Sequence, residues 1–160
     1  MDNERIKKHY INSLSKFLPE DIKNNFDIDW DGYNVNIDDN AECDYGTVTG
    51  KDGVEGAYFE FTNKSNPEER YSVTYGIVGN FSTWQTEGRA YDRNGDPGDP
   101  GDMGDYEFTD FDDEATQEPI LLNANEDEIN PTTDVEKAIF DAVVEYYSDL
   151  ESSMERGYWF

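Results

Sequence analysis

Carboxylates are the residues of this sequence that could do chemistry, and they recur at regular spacing. From Asn94 to Glu136 the chain has fifteen acidic residues and no lysine, arginine or histidine. In this stretch Asp96, Asp99, Asp102 and Asp105 occupy every third position among glycine and proline. Such carboxylates can hold calcium through their oxygens, or attract a cationic surface through their charge. The stretch therefore predicts a binding role that depends on negative charge.

A calcium loop is the first interpretation to consider, because Asp92-Arg93-Asn94-Gly95-Asp96 has polar side chains at alternate positions. The EF-hand pattern then fails, since its sixth position requires glycine and is Pro97. Its twelfth position requires a bidentate glutamate and is Met103. We therefore predict no metal site and no cofactor, and interpret this segment as an acidic loop that joins two strands.

A second group of carboxylates lies in a segment with the alternation of a β-strand. Between Phe26 and Ile37, apolar residues occupy even positions up to Trp30 and odd positions from Tyr33 onward. A switch of this kind around Asp31-Gly32 is typical of a two-residue hairpin turn. Asp27 and Asp29 would then form an anionic row, about 6.6–6.8 Å apart on the polar face.

The rest of the chain predicts the elements that would position these residues. Short apolar-alternating runs follow from Cys43 onward, with a predicted turn at 50–53 and no helical pattern between the strands. An amphipathic helix is predicted at the N-terminus, and another begins at the capping box Thr133 to Glu136. We expect the final aromatic residues, 158–160, to be tucked into the domain.

Together these patterns predict an α+β fold. We expect an antiparallel meander of about five or six strands, with an N-terminal and a C-terminal helix packed on the sheet. A long acidic loop would lie between late strands. The chain of 160 residues fits one domain, 1–160, in which 94–105 and 112–130 are predicted to be loop or partly disordered.

Composition limits the functions to consider. The chain has 38 acidic and 12 basic residues, a formal charge of −26, whereas a magnitude of about 2–8 suffices for solubility. It has one histidine, one cysteine (Cys43), and no phosphate-binding glycine loop or nucleophile motif. We predict no enzymatic activity and no direct binding of nucleic acid, which such a charge would repel. No apolar run approaches the length of a membrane span, and we expect a cytoplasmic protein without membrane association.

In size and charge the chain resembles phage-encoded inhibitors that imitate DNA, and acidic immunity proteins that neutralise basic nuclease toxins. The resemblance implies a non-enzymatic inhibitor that blocks the basic nucleic-acid-binding surface of a nuclease, restriction enzyme or CRISPR effector. An immunity protein and a calcium-stabilised structural or virion module are the alternatives. We expect Tyr106 to Glu114, rather than Asn94 to Asp105, to present an ordered surface together with the hairpin. The candidate contact residues are Asp27, Asp29, Asp96, Asp99, Asp102, Asp105, Tyr106, Glu107, Phe108, Asp110, Asp112, Asp113 and Glu114.

Overall fold

The fold, obtained as a computed structural model, is an α+β arrangement of helices on an antiparallel sheet. The structure describes residues 3–44, 46–84 and 106–156. The elements in these ranges are α1 (Asn3–Ser15), α2 (Glu20–Asn25), β1 (Phe26–Val35), α3 (Ile37–Asn40), β2 (Glu42–Asp44), β3 (Thr47–Asn63), β4 (Arg70–Trp84), β5 (Glu107–Phe111), β6 (Gln117–Leu122) and α4 (Asp134–Glu155). The predicted fold class, with an N-terminal and a C-terminal helix, is confirmed.

Two long strands form the centre of the sheet. β3 has 17 residues and β4 has 15, and they pair antiparallel along most of their lengths. β1 and β2 both pair with β3, while β5 and β6 both pair with β4. Each outer edge is therefore made of two shorter strands that follow one another along a central strand.

One face of the sheet, here called the helix face, carries the core. Trp30, Phe59 and Val73 are cross-strand neighbours on β1, β3 and β4, and all three are buried. The helices α1 and α4 supply buried partners such as Leu14 and Tyr146. The opposite side is here called the open face. Since side chains alternate along a strand, the residues between these core positions point to the open face.

The beginning of α4 follows the predicted capping box. The Thr133 hydroxyl accepts a hydrogen bond from the Glu136 backbone N–H at 3.1 Å. In return the Glu136 carboxylate accepts one from the Thr133 backbone N–H at 3.2 Å. These two hydrogen bonds satisfy backbone N–H groups that have no partner within the helix. The backbone hydrogen bonds that Glu136 accepts also lower the pKa of its carboxyl group.

The predicted hairpin between Phe26 and Ile37 is wrong. β1 continues through Asp31 and Gly32 as one strand, and both flanking segments pair with β3. Gly32 is needed for close packing instead of a turn: a Cβ atom there would lie 2.7 Å from the Ala57 Cβ and 2.9 Å from the Trp30 ring. Tyr33 consequently does not face Trp30 and is 69% exposed.

Two further expectations are corrected. The predicted turn at 50–53 lies inside β3, where Gly53 has a positive φ of 145° and approaches the Ile77 carbonyl oxygen. The segment 112–130, predicted as loop, contains strand β6. The acidic segment 94–105 and the aromatic residues 158–160 lie outside the described residues, so those predictions stand as predictions.

Replacing Gly32 by alanine should destabilise the fold by about 1–3 kcal/mol, because the new methyl group would overlap Ala57 and Trp30. Urea denaturation of the purified variant would measure this as a lower midpoint. Gly56→Asn is the matched control: nothing lies within 4 Å of its added Cβ, and asparagine tolerates its φ of 58°. The control should lose less than about 1 kcal/mol. Equal midpoints for wild type and Gly32→Ala would contradict this role of Gly32.

Candidate functional site

The candidate site is a group of carboxylates and tyrosines on the open face of β1 and β3. Phe26 and Trp30 of β1 are buried on the helix face. The intervening Asp27, Asp29 and Asp31 therefore point to the open face, and all three are exposed. The predicted row of Asp27 and Asp29 is present, and it extends by one residue that the sequence had assigned to a turn.

The neighbouring strand adds further acidic side chains to this row. Asp29 is directly opposite Glu60, Asp31 is opposite Tyr58, and Tyr33 is opposite Glu55 in the antiparallel register. Side chains directly opposite one another have Cβ atoms about 4.5–5.5 Å apart. We call this group the acidic face; its members are Asp27, Asp29, Asp31, Tyr33, Glu55, Tyr58 and Glu60.

Tyr58 lies at the centre of the acidic face. Burial is the largest cause that raises the pKa of its phenol, followed by the charges of Asp31, Glu60 and Asp29. Lys7 of α1 acts in the opposite direction. The fields of three carboxylates thus converge on one hydroxyl, which stays protonated and able to donate a hydrogen bond.

Asp29 is held in position but is not shielded. Its Oδ1 accepts a hydrogen bond from the Trp30 backbone N–H at 2.9 Å, which fixes the side chain beside its own strand. The Lys7 Nζ lies 3.8 Å from the same oxygen, while the Asp29 side chain is 66% exposed. An exposed pair of this length contributes little to stability, so the carboxylate stays accessible to a partner's cation.

The predicted contact residues between Tyr106 and Glu114 do not form one surface. Phe108 packs against Phe81 and Phe111, with ring centroids 5.8 and 4.7 Å apart, and Tyr106 also packs against the core. These aromatics therefore contribute to the fold and are not free anchors for a partner.

Asp112 also has a structural role. Its carboxylate accepts a hydrogen bond from the Lys51 Nζ at 2.6 Å and another from the Glu114 backbone N–H at 3.1 Å. The hydrogen bond from Lys51 is the largest cause that lowers the pKa of this carboxyl group. Asp112 thus fixes the turn after β5 against β3, and its side chain is only 17% exposed.

The other candidate residues that the structure describes belong to β5 or to the turn after it, and not to β1 or β3. Asp110 accepts a hydrogen bond from the Asn80 side chain at 2.8 Å, on the side of the sheet where β5 pairs with β4. Glu107, Asp113 and Glu114 are exposed there. Four predicted contact residues lie outside the described residues: Asp96, Asp99, Asp102 and Asp105.

Sequence reasoning missed part of the acidic face. In the sequence, Ala57, Phe59 and Phe61 alternate with Tyr58 and Glu60, and this pattern puts the two polar residues on the opposite side of their strand. What the sequence did not show is that β3 pairs with β1 in a register that places Glu60 beside Asp29. That register depends on contacts between segments distant in the chain.

Replacing Glu60 by glutamine should raise the free energy of unfolding by about 0.2–1 kcal/mol, because like charges directly opposite on a sheet are destabilising. Urea denaturation at low salt would measure the gain, and added salt should reduce it by screening. Glu68→Gln makes the same change in the exposed loop between β3 and β4 and is the control. If both variants gain equally, the effect belongs to net charge and not to the Asp29–Glu60 pair.

The ion pair of Asp112 predicts a dependence on pH. Since the folded-state pKa of Asp112 is lowered, its contribution is complete above the ordinary aspartate value of 3.8 and disappears as the pH falls through the folded value. The stability advantage of wild type over Asp112→Asn should therefore shrink below pH 3.8. Denaturation midpoints across this range would measure it, with the exposed neighbour Asp113→Asn as the charge control. A constant advantage down to the lowest pH would contradict this assignment.

Within 3–44, 46–84 and 106–156, no group of three or more histidine, cysteine, aspartate or glutamate side chains is arranged to hold a metal ion. None of the described helices is both long and apolar enough to cross a membrane. Comparison with protein-family models, with curated proteins and with solved structures finds no match for this chain.

Proposed function

We propose that this protein is a non-enzymatic acidic inhibitor whose acidic face occupies the basic nucleic-acid-binding surface of a partner protein. One observation carries the proposal: the strand register places Glu60 directly opposite Asp29. Asp29 itself lies between Asp27 and Asp31 in the row on β1. Like charges in this position destabilise a sheet. A local arrangement that works against stability is typical of a functional surface.

The chemistry of the acidic face suits a surface that normally binds phosphates. Such surfaces present arginine and lysine side chains, whose N–H donors pair with carboxylates as they do with phosphate oxygens. Five carboxylates on two adjacent strands offer several such pairs at once. Each exposed pair is weak, so affinity requires that many form together.

Two tyrosines add aromatic contact surface to the charges of the acidic face. Tyr33 is 69% exposed and Tyr58 lies among three carboxylates. Tyrosine is enriched among the residues that contribute most to binding, especially near the centre of an interface. In this proposal Tyr33 and Tyr58 anchor the partner, in place of the predicted contact residues Tyr106 and Phe108, which pack against the core.

The net charge of −26 favours the same kind of partner. It accelerates association with a basic protein and repels nucleic acid, which would compete for that protein's surface. A nuclease, restriction enzyme or CRISPR effector fits this description, in which case the protein would act in phage–host conflict. An immunity protein against a basic nuclease toxin would use the same face, and the identity of the captured partner distinguishes the two.

Neutralising the acidic face should abolish capture of a basic partner. In a pull-down from host lysate at moderate salt, we expect wild type to retain a nucleic-acid-binding protein and to displace nucleic acid from it. The variant Asp29→Asn, Asp31→Asn, Glu60→Gln should lose at least about tenfold in affinity, since several charge-assisted contacts disappear together.

The matched control removes three charges elsewhere. Glu126→Gln, Asp127→Asn, Glu128→Gln makes an equal change in net charge in the exposed segment between β6 and α4. It should keep nearly the full affinity. Recovery of no basic partner by wild type, or equal losses in both triple variants, would refute the proposal.

A further inference from the structure

The strand β1 forms one edge of the sheet, and no described strand pairs with its outer side. The edge strand β6 differs, because the segment after it folds back. A bridge joins Leu122 to Glu128, and the Ile129 N–H donates to the Leu121 carbonyl oxygen at 3.0 Å. β1 has ten residues, more than the usual five or so of a strand. A long edge of this kind offers backbone donors and acceptors to which another strand can add.

Two backbone donors on this edge bind the aspartates that precede them. The Trp30 N–H donates to the Asp29 Oδ1 at 2.9 Å, and the Gly32 N–H donates to the Asp31 Oδ1 at 2.8 Å. In an antiparallel pair, alternate residues direct their N–H and C=O groups away from the partner strand. Since these N–H groups bind side chains of their own strand instead of β3, the even-numbered residues are the ones that face outward.

A groove of about 550 Å³ lies beside this edge, between β1 and α1. Ile11 of α1 and Ile28 of β1 contribute apolar surface to it. Lys7 of α1 also lines the groove, and its Nζ lies 3.8 Å from the Asp29 Oδ1. The position of Lys7 shows that an ammonium group beside the edge reaches the Asp29 carboxylate.

The two sides of the edge differ in charge. The aspartates of β1 point to the open face, and α1 contributes basic side chains to the groove on the helix side: Arg5, Lys7 and Lys8. A second copy of β1 does not fit here, because a continuous antiparallel sheet would bring two rows of aspartates together. A strand that fits has basic side chains toward the open face and apolar side chains toward the groove.

We propose that β1 is a docking edge for an extended basic segment of the partner protein, which adds to the sheet as a further antiparallel strand. Every second residue of the segment is lysine or arginine and faces Asp27, Asp29 and Asp31. These cations draw Asp29 and Asp31 away from the backbone, so that the Trp30 and Gly32 N–H groups bind carbonyl oxygens of the segment. The inference rests on the proposed function, because it takes the partner to be basic, and it adds how the partner's chain is held.

The strand geometry determines which amides of the segment take part. Residues of the segment directly opposite Ile28 and Trp30 exchange backbone hydrogen bonds with β1, because these two residues face outward. Side chains directly opposite one another lie on the same face of a sheet. Since Trp30 is buried on the helix face, the hydrogen-bonded residues of the segment are the apolar ones. The N–H groups of its basic residues point away from β1.

The test is calorimetric titration of the full chain with a blocked seven-residue peptide in which lysine alternates with valine, beginning and ending with lysine. We expect saturable one-site binding. N-methylation of the valine amides should weaken it by at least about tenfold, because several backbone hydrogen bonds are lost together. N-methylation of the interior lysine amides is the matched control, since it keeps the same charges and alters N–H groups that face away. It should change the affinity by less than about twofold.

Variants of the protein test the acidic side of the edge. Asp29→Asn, Asp31→Asn keeps the side-chain oxygens that accept from the backbone and removes only the charges, and it should weaken peptide binding by at least about tenfold. Glu126→Gln, Asp127→Asn removes two charges from the exposed segment after β6 and should bind nearly as wild type does. With the peptide bound, the Trp30 and Gly32 amides should exchange hydrogen more slowly.

The failure of this inference differs from the failure of the proposed function. Absence of saturable heat at millimolar peptide would overturn strand addition. Equal affinities of the two methylated peptides would also overturn it, yet would leave capture of a basic protein by the acidic face intact. If the peptides behave as expected but lysate yields no basic partner, the docking edge stands and the proposed function fails.

Discussion

The antiparallel pairing of β3 with β4 is the interaction on which the rest of this structure depends. The two strands are long enough that each outer edge accommodates two shorter strands, one after the other. The alternation of side chains along this pair sorts the sequence into an apolar helix face and an open face that includes the acidic face. A chain with a charge of −26 depends on this separation, because an ionised carboxylate loses its hydration when it is buried among apolar side chains.

Aromatic packing on the helix face opposes the repulsion among the charges. Trp30 stacks on Tyr10 at 4.4 Å and donates a hydrogen bond to the buried Tyr75 hydroxyl, and the Tyr75 ring in turn stacks on Phe59 at 5.6 Å. Each aromatic side chain buries about 150–250 Å², worth a few kcal/mol at about 25 cal/mol per Å². Surface repulsion is screened by salt, whereas this packing is not. The fold can therefore maintain an acidic face that works against its own stability.

The sequence was sufficient to predict the elements that depend on residues close together in the chain. The capping box of α4 and the apolar stripe of α1 follow from residues within one or two turns, so both were found. Asp31-Gly32 was misassigned because a hairpin turn and a tightly packed strand both favour glycine there. The glycine is required here because a Cβ atom at position 32 would overlap the side chain of Ala57, which is distant in the chain. For the same reason Asp27 and Asp29 were identified as a row, while their neighbour Glu60 was not.

The bulge in β3 shows how one residue decides which face of the sheet its neighbours occupy. β3 has an extra residue between Val54 and Ala57 against β4, and between Glu55 and Tyr58 against β1. Gly56 lies within both intervals and adopts a φ of 58°. A β-bulge of this kind reverses the alternation beyond it. Without it, Asp52 would point to the open face and Glu55 into the core. With it, Glu55 lies on the acidic face and Asp52 is buried on the helix face. The two carboxylates, three residues apart in sequence, thus lie on different faces because a glycine between them permits a left-handed backbone.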